Sequence, residues 1–165
     1  MTLAICPGSF DPPTNGHVDV VERARRHFDE ILVAVVDSPS KKPLFDPAER
    51  VALMRHSLSH LNNVRVEEHE GLLVDLARSR GAQVIVKGLR ATSDLEYELQ
   101  MAQMNARLLE AVDTLFVVTN PKWSFISSSL IKEVARHGGE VAGLVPEAVK
   151  AALSAKLSGS PHEGE

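Results

Sequence analysis

Three short segments of the chain hold residue types that can bind phosphate. The first, residues 8–17, has the sequence Gly-Ser-Phe-Asp-Pro-Pro-Thr-Asn-Gly-His and lies between a short apolar run and an amphipathic pattern of helical spacing. It predicts a strand-to-helix turn, with a helix that begins near Asn15 or Gly16 and directs unpaired N–H groups and a positive dipole end at an anion. On the first helical turn, a neutral His17 would donate to a phosphate oxygen. A simple helix-start cap is the alternative role.

The second segment is Lys87-Gly88-Leu89-Arg90, directly after an apolar run at residues 82–86. A helix capped by Thr92, Ser93 or Asp94 is predicted to follow it. Two cations that flank a glycine at the end of a strand can hold two phosphate groups at once. The structural alternative is a glycine turn with exposed charges, and these four residues alone do not decide between the two.

The third segment, residues 121–129, ends in Ser127, Ser128 and Ser129 immediately before an apolar helical pattern. Three serines supply an N-cap and a first turn rich in hydroxyl and N–H donors, which predicts a second helix N-terminus suited to phosphate. Trp123, the only tryptophan, either packs the loop or frames a nucleotide base with its backbone. The adjacent lysines Lys41 and Lys42 add a cationic turn after a predicted strand, and one of them is expected to reach an anionic substrate.

The elements that position these segments alternate between strand and helix. Apolar, β-branched runs without alternation, such as residues 30–36, indicate strands covered on both faces. Helices are predicted from Asp46 to about His60, from Gly71 to Gly81, from about Asp94 to Glu110, after the serines, and from Val145 to Leu157. This order predicts a single-domain α/β protein with a Rossmann-like, doubly wound fold, a five-stranded parallel sheet and helices on both faces. Residues 1–157 would form the domain and residues 158–165 a polar, disordered tail. The strands are expected at 3–6, 30–36, 64–66, 82–86 and 112–119.

Composition narrows the class of protein. A formal net charge of −4 argues against a nucleic-acid-binding surface, so phosphate would be bound in a pocket. No long apolar run suggests a membrane span, no secretory signal is evident, and the single cysteine, Cys6, is expected to be an inert core residue. The expected location is the cytoplasm. The run from Glu67 to Glu70 is expected to be a solvated loop rather than a metal cluster, and Arg50, His56 and His60 receive no predicted role.

Together the segments resemble a known family. Thr14-Asn15-Gly16-His17 is similar to the Thr-x-Gly-His signature of a nucleotidyltransferase superfamily. With residues 8–12, 38–43, 87–90 and 121–129 and with Glu96-Tyr97-Glu98, the chain resembles the bacterial phosphopantetheine adenylyltransferases from Ile5 to about Leu157. The resemblance implies transfer of AMP from ATP to 4′-phosphopantetheine, giving dephospho-coenzyme A and pyrophosphate with Mg²⁺, without a covalent enzyme intermediate. It also implies a homohexamer and coenzyme A as an inhibitor.

The resemblance also implies roles for individual residues. His17 would stabilise the transition state, with Lys41 and Arg90 as further catalytic cations, and no protein side chain is expected to ligate the metal. Ser9 stands where threonine is frequent in this family and Lys87 where arginine is frequent, so the bidentate fork of an arginine is absent at position 87. Ser9, Lys41, Leu73 and Lys87 would bind phosphopantetheine. ATP would be bound by Ser9, Phe10, His17, Gly88, Leu89, Arg90, Glu98, Trp123, Ser124, Phe125, Ile126, Ser127, Ser128 and Ser129.

Two other functions remain open on the residues alone. A related transferase could act on nicotinamide mononucleotide or a small alcohol phosphate, because the His17 signature permits either acceptor. A nucleotide-binding regulator could keep the pocket without turnover. The Lys-Gly-Leu-Arg and serine segments favour phosphopantetheine as the acceptor.

Overall fold

The structure is a computed structural model that describes residues 1–38 and 42–158, with the backbone alone for residues 92 and 93. Within these residues, five parallel strands form one sheet in the order β3-β2-β1-β4-β5. The predicted tail lies outside the described residues from position 159 onward. The strands are β1 (Leu3–Gly8), β2 (Glu30–Val36), β3 (Val64–His69), β4 (Val84–Leu89) and β5 (Asp113–Val118).

Helices connect the strands in the order predicted for a doubly wound fold. A short 3-10 helix, Arg25–His27, follows the first of them. The α-helices of the described chain are α1 (Asn15–Ala24), α2 (Pro47–Ser57), α3 (Leu73–Arg80), α4 (Thr92–Leu108), α5 (Ser128–Arg136) and α6 (Glu147–Leu157). Strand order 3-2-1-4-5 with helices on both faces confirms the predicted fold class.

Side chains that alternate along the strands divide the core into two layers. On β1, Ala4 and Cys6 pack in the cluster that contains residues of α1 and α2, whereas Ile5 packs in the cluster of α3. Both clusters are almost fully buried, which explains why the strands show continuous apolar runs. A third cluster joins α5 and α6 to Phe45, beside the loop that precedes α2.

Several helix ends form as the local sequence predicts. The carboxylate of Asp46 accepts from the N–H of Glu49 at 2.8 Å, and the Glu49 side chain accepts from the N–H of Asp46 at 2.8 Å, a reciprocal capping box with Pro47 at the first position. Gly81 ends α3 at a φ of 69°, in the left-handed region where glycine has no steric penalty. These signals are confirmed because they are local in sequence.

Other predicted boundaries were wrong. α2 ends at Ser57 rather than near His60, and α4 is preceded by Ala91 at its N-cap rather than by Thr92, Ser93 or Asp94. β3 continues to His69, so Glu67, Glu68 and His69 belong to a strand and not to a loop. An edge strand tolerates such polar residues because half of its surface faces water. β4 similarly continues through Leu89, which pairs with Val118, and Lys87 and Gly88 near its end line a cavity.

Several large apolar side chains on α4 are largely uncovered in the single chain. Leu99 is 43% exposed, Met104 56% and Leu108 46%. Of the described α4 side chains, only Asn105 is classed as buried. These three side chains therefore do not belong to the core of the described chain.

β1 and β4 pair over a short distance only. The ladder joins Ala4 to Val84 and Ile5 to Ile85, while β1 pairs with β2 along its full length. Pro7 has no N–H to contribute where the ladder between β1 and β4 ends. The two central strands therefore separate toward their carboxyl ends, at the point where the strand order reverses, and leave a crevice of the kind that binds ligands in open α/β sheets. None of the described helices is both long and apolar enough to cross a bilayer.

Candidate active site

The crevice between β1 and β4 opens into a cavity of about 280 Å³. Its walls come from the ends of these two strands, the start of α1, the inner face of α4 and the start of α5. All three segments predicted to bind phosphate therefore meet in one place. The lining residues are Cys6, Pro7, Gly8, Ser9, Phe10, Thr14, Gly16, His17, Val20, Lys87, Gly88, Arg90, Asp94, Glu98, Thr119, Ile126, Ser127, Ser128 and Ser129.

His17 completes the N-terminal cap of α1. The Thr14 side chain accepts from the N–H of His17, and the N–H of Thr14 donates to Nδ1 of His17 at 3.0 Å. An imidazole nitrogen that accepts from a backbone N–H carries no proton, so this network assigns the proton of the neutral ring to Nε2. His17 thus takes part in the helix cap, which was the alternative role considered for it, and it also keeps an N–H donor for a ligand.

Three effects lower the pKa of His17 from 6.5 to about 4. Burial is the largest, because it removes the water that would solvate an imidazolium; the positive charges of Arg90 and Lys87 add to it. The ring is therefore neutral near pH 7. A neutral ring was also expected from the sequence. In the structure, its causes are burial and the two nearby cations.

Phe10 holds the His17 ring in place. The two rings meet edge to face with centroids 5.0 Å apart, and Phe10 adopts a φ of 49°, which is uncommon for a residue other than glycine. A Cβ on Gly8 would lie 2.8 Å from Cζ of Phe10, so this ring requires a glycine at position 8. Because only 4% of Phe10 is exposed, its ring supports His17 and is not free to stack on a base.

Two cations face the cavity, and each is paired with a carboxylate of α4. Lys87 Nζ lies 3.3 Å from an oxygen of Glu98, and Arg90 Nε lies 3.3 Å from an oxygen of Asp94. Arg90 also donates from Nη1 to the carbonyl oxygen of Ile126 at 2.8 Å, which ties it to the serine segment. The pairs are partly exposed, so a phosphate group can compete for both cations.

The serine segment begins α5 as predicted. Ser127 is the N-cap, and its hydroxyl accepts from the N–H of Leu130 at 3.0 Å. Ser128 instead donates from Oγ to the carbonyl oxygen of Pro12 at 2.7 Å, joining the start of α5 to the turn after β1. One serine therefore caps the helix and one joins two segments, while Ser129 also lines the cavity.

Several predicted site residues do not line this cavity. Leu73, the first residue of α3, packs against the second core cluster. Trp123 packs against the third cluster and beside Gly16, with Lys122 Nζ 4.6 Å from the centroid of its ring. Phe125 is largely exposed. Leu89 and Ser124 also lie outside the lining, and Lys41 lies outside the described residues.

Two residues that were not predicted to belong to the site, Thr119 and Arg50, line the cavity or contact a residue that does. Thr119 follows β5 and lines the cavity, as the rule that ligands bind at strand ends could have indicated. Arg50, to which no role was given, is fully buried and donates to the carbonyl oxygen of Ser9 at 3.0 Å. No local signal identifies Arg50, because Ser9, Val36 and Asp37, to which it donates, lie 13 or more positions away in sequence.

Cys6 also borders the cavity, but its thiol is unreactive. It is a free thiol in the core, and burial raises its pKa to about 11 although the positive charge of Lys87 acts in the opposite direction. The thiolate is the nucleophilic form, so this residue has little reactivity near pH 7. The prediction of a buried, inert cysteine agrees with this environment.

Comparisons with known proteins show the family of the chain. Residues 5–134 match the family described as cytidylyltransferase-like. The phosphopantetheine adenylyltransferase of Heliobacterium modesticaldum is 54% identical over 156 residues, which cover 94% of this chain and 93% of that protein. A solved structure from Vibrio parahaemolyticus, of a protein assigned as a nicotinate-nucleotide adenylyltransferase, superposes with a TM-score of 0.68 at 18% identity over 93% of this chain and 99% of that chain, which supports the fold. The chain belongs to the cytidylyltransferase-like family of nucleotidyltransferases and, within it, to the phosphopantetheine adenylyltransferases.

Proposed function

We propose that this enzyme transfers the adenylyl group of ATP to 4′-phosphopantetheine and releases dephospho-coenzyme A and pyrophosphate. The observation that carries the proposal is the placement of His17. Its neutral ring retains a proton on Nε2 at a cavity bordered by Lys87, Arg90 and the start of α5. The 54% identity to a phosphopantetheine adenylyltransferase supports this acceptor.

The chemistry needs alignment and charge neutralisation rather than a base. A phosphate monoester has a second pKa of about 6, so the acceptor phosphate is already a nucleophilic anion near neutral pH. Its oxygen attacks the α-phosphorus of ATP, the bond to the bridging oxygen breaks, and pyrophosphate leaves with the bonding electrons. His17 donates from Nε2 to a phosphoryl oxygen as negative charge develops. Donors of this kind typically contribute roughly 3–4 kcal/mol in a site without water.

The two substrates would divide the site between them. Ser9, Lys41, Leu73 and Lys87 are proposed to contact phosphopantetheine. Lys41 and Arg90 are proposed as catalytic cations in addition to His17, and the N–H groups at the start of α5 would bind ATP phosphates. The proposed ATP-binding residues are Ser9, Phe10, His17, Gly88, Leu89, Arg90, Glu98, Trp123, Ser124, Phe125, Ile126, Ser127, Ser128 and Ser129.

Mg²⁺ is proposed to enter as part of the substrate Mg–ATP. Among the described residues there is no group of three or more His, Cys, Asp or Glu side chains that could hold a metal ion. Asp94 and Glu98, the carboxylates that line the cavity, already pair with Arg90 and Lys87. A magnesium ion that keeps several waters and binds through substrate phosphates is compatible with this arrangement.

A homohexamer is proposed for the assembly. The exposed apolar residues of α4, together with Leu115 and Val118 on the edge strand β5, are 41–69% exposed, a pattern suited to contact with other copies of the chain. Light scattering that shows a monomer at working concentration would contradict it.

Coenzyme A, which shares the pantetheine and adenosine parts of the product, is proposed to compete for the site. The cytoplasm, where ATP is available, is the proposed location.

Pyrophosphate release tests the proposed function. The protein is incubated with ATP and Mg²⁺, and 4′-phosphopantetheine, nicotinamide mononucleotide and glycerol 3-phosphate are offered separately. Release with phosphopantetheine alone is expected. Release with another acceptor would keep the role of His17 and change the substrate, and release with none would favour a nucleotide-binding regulator.

A further inference from the structure

A buried carboxylate lies behind the wall of the proposed active site. Asp11 Oδ1 accepts from the N–H of Phe45 at 2.9 Å, and Oδ2 accepts from the N–H of Leu44 at 3.0 Å and from Nζ of Lys132 at 2.8 Å. Asp11 is 6% exposed and the Lys132 side chain 12%. One carboxylate therefore joins the turn after β1, the segment before α2, and α5.

Arg50 also holds two of these segments, the turn after β1 and the segment before α2. It donates from Nε to the carbonyl oxygen of Phe45 at 3.0 Å and from Nη1 to the carbonyl oxygen of Ser9 at 3.0 Å, and it pairs through Nη2 with Asp37. Phe45 is thus fixed at its N–H by Asp11 and at its carbonyl oxygen by Arg50. These bonds make the segment before α2 a rigid support for the turn that carries Ser9.

The network borders the proposed active site without lining its main cavity. A side cavity of about 50 Å³ is lined by Asp11, Arg50 and Lys132, and it shares Ser9, Ser128 and Ser129 with the main cavity. The three serines therefore form the wall between the buried charges and the proposed substrates. A change at Asp11 that moves this wall would therefore move groups that face the proposed substrates.

Stability alone does not call for this arrangement. Charges taken out of water carry a desolvation cost, and well-packed apolar residues in their place are often as stable or more so. Burial opposes the ionisation of Asp11, but the hydrogen bonds from Lys132, Phe45 and Leu44 outweigh it and lower its pKa. What the charged network provides, and apolar packing would not, is directional bonds to three separate backbone segments.

We propose that Asp11 is a positioning residue for the adenylyl transfer: through Lys132 and the N–H groups of residues 44 and 45, it holds Ser9 and the start of α5 in the geometry that the reaction needs. This inference rests on the proposed function. A loss of alignment at the reacting groups lowers the rate of a step that depends on positioning, even where both substrates still bind.

The test compares kcat and KM for wild type, Asp11→Asn, Lys132→Met and the double variant, by pyrophosphate release with ATP and 4′-phosphopantetheine. In each single variant kcat should fall about 10- to 100-fold while either KM changes less than about threefold. The double variant should lose no more than the worse single variant, because the two residues act as a unit. Lys150→Met is the control, since it removes an ion pair of 3.2 Å with Glu140, and neither of these residues lines either cavity.

Other outcomes would overturn the inference. A wild-type kcat in variants that only melt at a lower temperature would make the network purely structural, and losses that multiply in the double variant would separate Asp11 from Lys132. Should Asp11→Asn fail to fold, Lys132→Met carries the test, because it leaves both backbone bonds to Asp11 in place. A wild-type protein inactive with every acceptor would instead contradict the proposed function.

Discussion

The backbone N–H of Thr14 donates to Nδ1 of His17, and this one hydrogen bond both begins α1 and fixes the imidazole proton on Nε2. In the usual capping box the third helical residue is a Glu or Gln, whose side chain has no further task. A histidine at this position accepts the same bond and keeps a donor for a ligand. Any substitution of His17 therefore affects the cap and the proposed chemistry together.

Replacement of His17 by Ala should abolish measurable turnover while the fold remains. The expected loss is about 100-fold or more from the missing donor, whereas a lost cap interaction costs only about 1 kcal/mol of unfolding free energy. Pyrophosphate release gives the rate and circular dichroism the fold. His60→Ala, which removes an exposed histidine paired with Glu22, is the control and should retain the wild-type rate. A His17→Ala protein as active as wild type would disprove the role.

The depressed pKa of His17 predicts how stability depends on pH. Between about 4 and 6.5 the unfolded chain binds a proton at this residue that the folded chain does not, so the contribution of His17 is full above pH 6.5 and is lost as pH falls to about 4. Urea unfolding at several pH values should show a smaller decrease for His17→Gln than for wild type. An NMR titration of His17 with a midpoint near 6.5 in the folded protein would contradict this prediction.

Asp94 competes with phosphate for Arg90, so Asp94→Asn should tighten binding of pyrophosphate. The two side chains lie 3.3 Å apart and are about one third exposed, and partly exposed pairs of this kind contribute about 0.2–1 kcal/mol. The dissociation constant measured by calorimetry should therefore fall about 1.4- to fivefold. Asp75→Asn, which removes an exposed pair with Arg78 on α3, is the matched control. Unchanged or weaker binding in Asp94→Asn would show that the pair does not compete.

Lys41→Ala should weaken the use of phosphopantetheine far more than the binding of ATP. The neighbouring Lys42 is exposed and has the same charge, so Lys42→Ala is a close control. KM for each substrate, measured in both variants, checks the assignment. Equal losses for the two substrates in Lys41→Ala, or a larger loss for phosphopantetheine in Lys42→Ala, would argue against Lys41.

The sequence was sufficient for the fold and for the three cavity segments because their signals are local. Strand runs, the capping box at Asp46 and the serines before α5 each depend on neighbouring residues, and parallel strands bring their ends to one edge. The buried network at Asp11 could not be predicted in this way. Its partners, Leu44, Lys132 and, through Phe45, Arg50, lie 33 or more positions from Asp11.

The two strand ends that were predicted wrongly, those of β3 and β4, have a common physical origin. Glu67 and Lys87 are charged residues in strands, and charge normally indicates a loop. One lies on an edge strand that faces water and the other faces the cavity, so tertiary position outweighed local propensity. The exposed apolar residues of α4 show a similar limit, since helical spacing alone does not tell a buried apolar face from an uncovered one.

The short ladder between β1 and β4 divides the sheet into two ribbons, β3-β2-β1 and β4-β5, that are joined by backbone bonds at one end only. Ser9 and His17 follow the first ribbon, and Lys87 and Arg90 belong to the end of the second. A molecule that contacts both sets at once links the two ribbons at the end where they share no backbone hydrogen bonds. Binding of this molecule then raises the free energy of unfolding, because the unfolded chain has no such pair of ribbons to bind it.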